Sequence, residues 1–254
     1  SGQPPVPAPV DSCGGREGEL GAISKRLDQP DSRLLTLGGM GGVGKTRLAM
    51  QVASLRKTDY LNGAFFVPLS TMETAANLPI AIANSLDLSF SGQASAETQL
   101  LQALADQELL LLLDNIEHLL PEAARFVTRL LQAAPHVSLL VTSRERLRLP
   151  AEHSFELAGL TENDEAENFF VACARRMLPD FSLSSEEQPA VHQLCNLIDG
   201  LPLGIEFAAA WVHILARAAM ANEIEQNIDV LAGPGRERPE RHQSLRAVFE
   251  YSWR

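Results

Sequence analysis

Gly39-Met40-Gly41-Gly42-Val43-Gly44-Lys45-Thr46 fits the pattern G-x-x-x-x-G-K-[ST]. Its chemistry is phosphate binding. Glycines let backbone N–H groups converge on an anion without Cβ clashes, and a helix N-terminus behind them adds a favourable dipole. In this pattern the lysine, Lys45, reaches the β- and γ-phosphates, and the hydroxyl of Thr46 ligates Mg²⁺. Gly39, Gly41, Gly42, Val43, Gly44, Lys45, Thr46 and the adjacent Arg47 are the candidate nucleotide-binding residues. The competing reading is a glycine-rich turn that binds nothing. Against it, Arg33-Leu34-Leu35-Thr36-Leu37 reads as a short buried strand and residues 46–55 as a helix. Strand, turn and helix are the context the motif requires.

A second chemical signal lies downstream. Leu109-Leu110-Leu111-Leu112-Leu113 is an apolar run that ends in Asp114. Mg²⁺ takes few protein carboxylates besides phosphate oxygens and water, so one Asp behind a buried strand suffices as its second ligand. The next residue is Asn115, which cannot take a proton but can orient water. Glu117 stands three residues after Asp114 and is the candidate substitute base. It reads equally as an acid in the first turn of a helix, where it favours the dipole. Arg144 directly follows another apolar run, Val137 to Thr142 with Ser143. An arginine there distinguishes ATP from ADP by one charge-assisted contact to the γ-phosphate. Arg146 and Arg148 are close enough to compete for the role. The candidate catalytic residues are therefore Lys45, Asp114, Glu117 and Arg144, with Thr46 and Asp114 as the Mg²⁺ ligands.

Other chemistries find less support. Lys57-Thr58-Asp59 has part of a guanine-reading pattern, but Arg56 stands where Asn belongs. His118, His136, His153, His192, His213 and His242 show no metal spacing. Cys13, Cys173 and Cys195 are too widely spaced for a common zinc site or a disulfide framework, which fits a reducing cytoplasmic compartment. The 254 residues carry a net charge of −11, which argues against direct nucleic-acid binding by this segment. Hydrophobic residues make up 45% and charged ones 21%, ordinary for a globular chain. No apolar run approaches the ~20 residues of a membrane span, and no signal segment opens the chain. The chain begins Ser1-Gly2 without Met and stops at Tyr251-Ser252-Trp253-Arg254 inside a helical pattern, so the sequence reads as a piece of a larger protein.

The elements that must position these residues alternate. Residues 1–10 hold Pro4, Pro5, Pro7 and Pro9 and read as an extended tail. A helix runs from Arg16 to about Leu27, with Leu20, Ile23 and Leu27 at helical spacing. Residues 63–69 read as a second strand, and 74–86 and 96–106 as helices. Residues 109–114 read as a strand covered on both faces, 121–134 as a helix, 137–142 as a strand and 154–157 as a last short one. Strands alternating with helices predict a parallel α/β sheet with ligands at the carboxyl ends of its strands. Gly39, Asp114 and Arg144 all fall at such ends. After Gly159 the pattern is helical only: residues 162–177, 185–198 with Asp199-Gly200 as a stop, and a helix opened by Pro202 whose stripe is Leu203, Phe207, Trp211, Ile214 and Ala218. Residues 223–231 are weaker, and Ser244 caps a last helix.

Taken together, Gly15-Arg16-Glu17-Gly18-Glu19-Leu20, the phosphate loop, Asp114-Asn115-Ile116-Glu117-His118, Val141-Thr142-Ser143-Arg144, Gly200-Leu201-Pro202-Leu203 and the stretch Pro239 to Arg246 resemble the STAND class of P-loop ATPases, of the NB-ARC and NACHT kind. The Asp-Asn-Ile-Glu-His form looks most like bacterial regulators of that class. The resemblance implies an α/β P-loop NTPase domain over residues 11–159, a helical lid domain over 160–235 and the start of a winged-helix domain over 236–254. It implies ATP and ADP in the cleft between the first two, with Mg²⁺. It implies that Gly15 and Arg16 pack against the adenine and that Pro202 touches the base from the lid. The His that reads ADP in many relatives lies beyond this chain, and Asn115 stands where many hydrolysing relatives carry Glu. The resemblance further implies a switch that is closed with ADP and opens with ATP into a homo-oligomer, reset by slow hydrolysis, with winged-helix and repeat domains following. A turnover kinase and a non-hydrolysing scaffold are the alternatives. Because the guanine-reading pattern fails, adenine nucleotides are expected to bind well ahead of guanine ones. A competition titration in which GTP displaces ATP at equal concentration would reverse that expectation.

Overall fold

The computed structural model describes residues 16–160 and 163–210. The proline-rich tail, Gly15, Cys13, the residues Trp211, Ile214 and Ala218, and the helices expected near 223–231 and from Ser244 lie outside them, as does the winged-helix segment. Contacts divide the chain into two units. One joins Lys45–Glu156 to the chain up to Gly39, and the other joins Leu157 onward to Met40–Gly44.

The first unit is built on five parallel strands: β1 (Leu34–Gly38), β2 (Ala64–Pro68), β3 (Leu109–Asp114), β4 (Val137–Thr142) and β5 (Glu152–Glu156). Their order is β2-β3-β4-β1-β5. Every residue of β1 and β3 is buried, as continuous apolar runs covered on both faces must be. The register aligns Leu37 with Thr142, Leu113 with Val141, and Pro68 with Asp114, so the carboxyl ends of β1, β3 and β4 lie side by side. The expected parallel sheet flanked by helices is the observed one. β5 begins two residues before the sequence pattern places it. Glu152 causes this: its carboxylate accepts the N–H groups of Leu147 (2.9 Å) and Arg148 (2.8 Å) and ties the preceding loop down.

The helices are α1 (Glu17–Leu27), α2 (Lys45–Arg56), α3 (Leu78–Ser85), α4 (Ala96–Leu104) and α5 (Glu122–Ala133). The single helix expected over 74–86 is instead a 3-10 turn, Ala75–Asn77, followed by α3. Pro79 sits in the first turn of α3, where its missing N–H has no intrahelical partner to lose. Ser95 caps α4 by accepting Thr98 N–H at 3.1 Å. In α5, Ala123, Phe126, Val127 and Leu130 form the stripe that packs into the core with Leu109, Leu111, Leu113 and Leu139. Arg56 at the end of α2 binds Ser24 O (2.9 Å), Asp28 (2.5 Å) and Asp59 (2.6 Å), which fastens α1 to α2. Arg26 of α1 donates to Ser154 O at 3.2 Å and lies 5.8 Å over the Phe155 ring, which fastens α1 to β5.

The second unit contains α6 (Asn163–Met177), α7 (Gln188–Leu197) and α8 (Pro202–Ala210). Its core includes Phe169, Phe170, Leu194, Ile198, Ile205 and Phe207. α7 starts three residues later than the sequence pattern indicates. Glu187 holds Ser184 N–H and hydroxyl (2.9 and 2.7 Å), and Pro189 occupies the first turn that follows. Asp199-Gly200 ends α7. Asp199 N–H donates to Asn196 O and Gly200 N–H to Cys195 O, both residues at positive φ. Gly200 also lies against the Leu160 carbonyl, where a Cβ would collide. Glu167 joins α6 to α7 by accepting from His192 (2.6 Å) and Gln188 (3.1 Å). Burial, with Glu167 adding to it, pushes the Cys195 thiol up to about 12, so it is a protonated core residue.

Arg33 closes the amino end of the sheet. Its guanidinium donates to Leu131 O, Ala134 O and Val137 O, which ties the last turn of α5 to the start of β4. Burial lowers its pKa, with the charge kept by these carbonyls. Arg33→Ala is expected to lower the unfolding free energy by about 1.5–3 kcal/mol, the range for hydrogen bonds to a charged group. Urea denaturation checks this, and an unchanged midpoint would mean that the three carbonyls are served by other donors.

Candidate functional site

The turn between β1 and α2 carries the glycine-rich loop. Gly39, Gly42 and Gly44 have φ of 133°, 80° and 95°, a region that a side chain rarely tolerates. α2 begins at Lys45, so the loop's N–H groups belong to a helix N-terminus. Gly42 is also a close approach. Its carbonyl accepts Leu203 N–H at 3.2 Å within the second unit, and an added Cβ would lie 3.0 Å from Leu203 Cβ.

Lys45 folds back over the loop and donates to Gly39 O at 2.6 Å. Its ammonium has a lowered pKa, chiefly because it is buried; Glu117 opposes the shift, Arg144 adds to it, and Asp114 and Glu156 oppose it. The same causes place Lys45, Asp114, Glu117 and Arg144 in one electrostatic site. Thr46, in the first turn of α2, donates its hydroxyl to Asp114 Oδ1 at 2.6 Å. Arg47 is half-buried on the same turn.

Asp114 is buried at the carboxyl end of β3. Its Oδ1 accepts a second hydroxyl, from Thr142 of β4, also at 2.6 Å. Thr142 in turn accepts Asn115 N–H at 2.9 Å. Sequence reasoning passed over Thr142, which ends a run of strand-forming residues and reads there as one more of them. The pairing comes from register, which no consecutive stretch of residues shows: Leu113 lies beside Val141, so the next residue on each strand, Asp114 and Thr142, are neighbours.

Arg144 pairs through Nε with Glu117 Oε1 at 3.3 Å. The other Glu117 oxygen is buried without a hydrogen-bond partner among the described residues. Arg146 is engaged elsewhere, 3.8 Å from Glu152, with its side chain 56% exposed; Arg148 is exposed. Of the three arginines, Arg144 is the one paired within the Lys45 and Asp114 cluster. Two further groups were not foreseen. His118 Nε2 contacts Met72 O at 2.9 Å while Nδ1 contacts Asn115 Nδ2 at 3.4 Å. Glu156 of β5 lies against Gly38, where an added Cβ would collide with its carboxylate.

Arg16, 6% exposed, precedes α1 and pairs with Glu19 at 2.6 Å. Pro202 opens α8 in the second unit. Asp59 of the failed guanine pattern is held by Arg56.

Thr46 and Asp114 fit a Mg²⁺ ion. Both offer hard oxygens, they already touch, and one hydroxyl with one carboxylate leaves most of an octahedral shell to phosphate and water. Among the described residues there is no group of three or more His, Cys, Asp or Glu that could cage a metal alone. No helix among them is long and apolar enough to cross a membrane.

Comparison with known proteins agrees with this geometry. A family model described as the NB-ARC domain matches residues 16–156. A putative HTH-type transcriptional regulator of Mycobacterium bovis is 35% identical over 221 residues, which cover 87% of this chain and 25% of the relative. The chain thus spans about a quarter of the length of that curated relative. Among solved structures, Cdc6p of Pyrobaculum aerophilum superposes with a TM-score of 0.60 at 16% identity, over 85% of this chain and 66% of the other. A STAND protein with a tetratricopeptide repeat sensor from Pyrococcus horikoshii gives a TM-score of 0.53 at 16% identity, over 83% of this chain and 32% of that one.

Proposed function

The chain belongs to the NB-ARC family, within the STAND class of P-loop ATPases, and we propose that it is the adenine-nucleotide switch module of a larger regulator. The observation that carries the reading is the joining of three motifs at one carboxylate edge. Lys45 and Thr46 come from the glycine-rich loop, Asp114 from β3 and Arg144 from the end of β4. The loop N–H groups and Lys45 bind the phosphates. Thr46 and Asp114 hold Mg²⁺, which neutralises charge on the β- and γ-phosphates when bound. Gly15, Arg16, Arg47 and Pro202 complete the nucleotide's surroundings in this reading, with adenine recognised by the first two and by the proline. The relative named as a transcriptional regulator, of which this chain matches a quarter, supports a signalling role and domains beyond this one.

The switch itself rests on Arg144. Its guanidinium is paired with Glu117 at 3.3 Å, and both side chains keep partial solvent access, 29% and 17%. A γ-phosphate carries more charge than a carboxylate and competes for the same guanidinium; ADP lacks that group. ATP and ADP therefore leave Arg144 and Glu117 in different pairings, and a ligand shifts a conformational equilibrium only through such a difference. Slow hydrolysis returns the ATP pairing to the ADP one. Assembly of the ATP form into a homo-oligomer follows from the same reading.

Lys45→Ala is expected to abolish or greatly weaken ATP binding in calorimetry; unaltered binding would remove the phosphate-loop assignment. Arg144→Ala is expected to weaken ATP about ten- to a hundredfold while leaving ADP nearly unchanged, as one hydrogen bond to a charged group predicts. Arg146→Ala, engaged with Glu152, is the control and should leave both affinities alone. Equal losses for ATP and ADP in Arg144→Ala would make that residue a general electrostatic contributor.

A further inference from the structure

Asn115 is constrained in three ways. Its φ is +66°, in the left-handed region where Asn is among the tolerated side chains. Its N–H donates to Thr142 Oγ1 at 2.9 Å, the hydroxyl that also donates to Asp114. Its Nδ2 lies 3.4 Å from His118 Nδ1.

The third constraint fixes which way the carboxamide faces. Met72 O can only accept, so His118 Nε2, at 2.9 Å from it, carries the proton. In a neutral ring Nδ1 is then an acceptor, and only the NH₂ end of Asn115 can donate to it. Oδ1 is left on the side turned from the ring, one residue past Asp114 at the carboxyl end of β3. It has no hydrogen-bond partner among the described residues. Asn115 is only half-buried, so water reaches it. Glu117, the rival acceptor, has one oxygen committed to Arg144 and the other buried away from water.

We propose that Asn115 orients the attacking water through Oδ1, and that His118 is the positioning residue that fixes this carboxamide. The inference rests on the ATP-hydrolysing reading of the site given above. In the step, the water oxygen bonds to the γ-phosphorus as the bond from that phosphorus to the β–γ bridging oxygen breaks. The water proton ends on the released phosphate. Asn115 takes no proton; it only accepts a hydrogen bond from the water, which suits phosphoryl transfer, where positioning supplies most of the catalysis. Without His118 the amide is free to rotate and presents its NH₂ end, which cannot accept.

The test measures ATP turnover and ATP affinity on the same preparations. Asn115→Gly keeps a left-handed backbone at no steric cost and removes only the carboxamide. His118→Ala removes the positioning ring, and His118→Gln restores one donor and one acceptor on a side chain of similar reach. Asn115→Gly and His118→Ala are each expected to lower kcat about tenfold or more, since small misplacements of reacting groups have effects of this order. ATP Kd should stay within about twofold. The double variant should be no slower than Asn115→Gly alone, because both remove one device, and His118→Gln should recover most of the rate. An unchanged kcat in Asn115→Gly, a further drop in the double variant, or a loss confined to Kd overturns the proposal. A wild-type rate no higher than that of Lys45→Ala overturns it together with the hydrolytic reading. A wild-type rate above that control with full activity in His118→Ala overturns the role of His118 alone.

Discussion

One carboxylate oxygen, Asp114 Oδ1, is where the first unit's motifs meet. It accepts the hydroxyls of Thr46 and Thr142 at 2.6 Å each. These come from the phosphate loop's helix and from the neighbouring strand. A buried carboxylate oxygen without such donors would be costly, and the two hydroxyls satisfy it and fix its direction. The fold places it there by register. With β3 between β2 and β4, and β4 beside β1, the ends of three parallel strands bring Asp114, Thr142 and the start of the glycine loop together. Everything the site can do with a phosphate depends on this edge being rigid.

The charges around that edge are balanced as a group. Burial weighs against the Lys45 ammonium, and Arg144 adds to the penalty, while Glu117, Asp114 and Glu156 support the charged form. Arg144 is kept by Glu117 and Arg146 by Glu152. A site that must admit a polyanion needs cations that are held but not sequestered. The Arg144–Glu117 pair meets that requirement, because the Arg144 side chain keeps 29% of its exposure and can exchange its carboxylate partner for a phosphate.

What the sequence made legible was whatever is written in consecutive residues. The glycine loop, the four apolar runs and the acid that ends one of them are each local signals, and the parallel sheet follows from their alternation with helices. Arg144 was identifiable because it directly follows a strand. Its partner Glu117 was singled out as a substitute base or a helix-dipole acid, and neither reading predicts a pairing with a residue on the next strand's loop. Thr142 and His118 stayed hidden for the same reason: their partners, Asp114 and Met72, are set by register and loop path. The errors at element ends have the same origin. Glu152 starts β5 early by binding two N–H groups of the preceding loop, and Pro79 and Pro189 move helix starts by occupying first turns.

The turn after β3 is held in a way that none of its contacts achieves alone. Over four residues it is tied to three neighbours: Asn115 N–H to Thr142, Glu117 to Arg144, and His118 to Met72 O. Ile116 between them is fully buried and donates its N–H to Thr142 O at 3.2 Å, so the turn cannot slide as a loose loop would. A tether to β4, a tether to the loop after β4 and a tether to the loop after β2 make it a rigid coupler across the carboxyl edge. If a γ-phosphate draws Arg144 away, one tether is released and Glu117 loses its partner while the other two hold. Glu117 already has one buried oxygen without a hydrogen bond, so losing Arg144 leaves a poorly solvated carboxylate that must move toward water or toward another cation. In the proposed switch, the free energy of that unpaired charge, and not the distance any element travels, is what the presence or absence of one phosphate converts into a change of state.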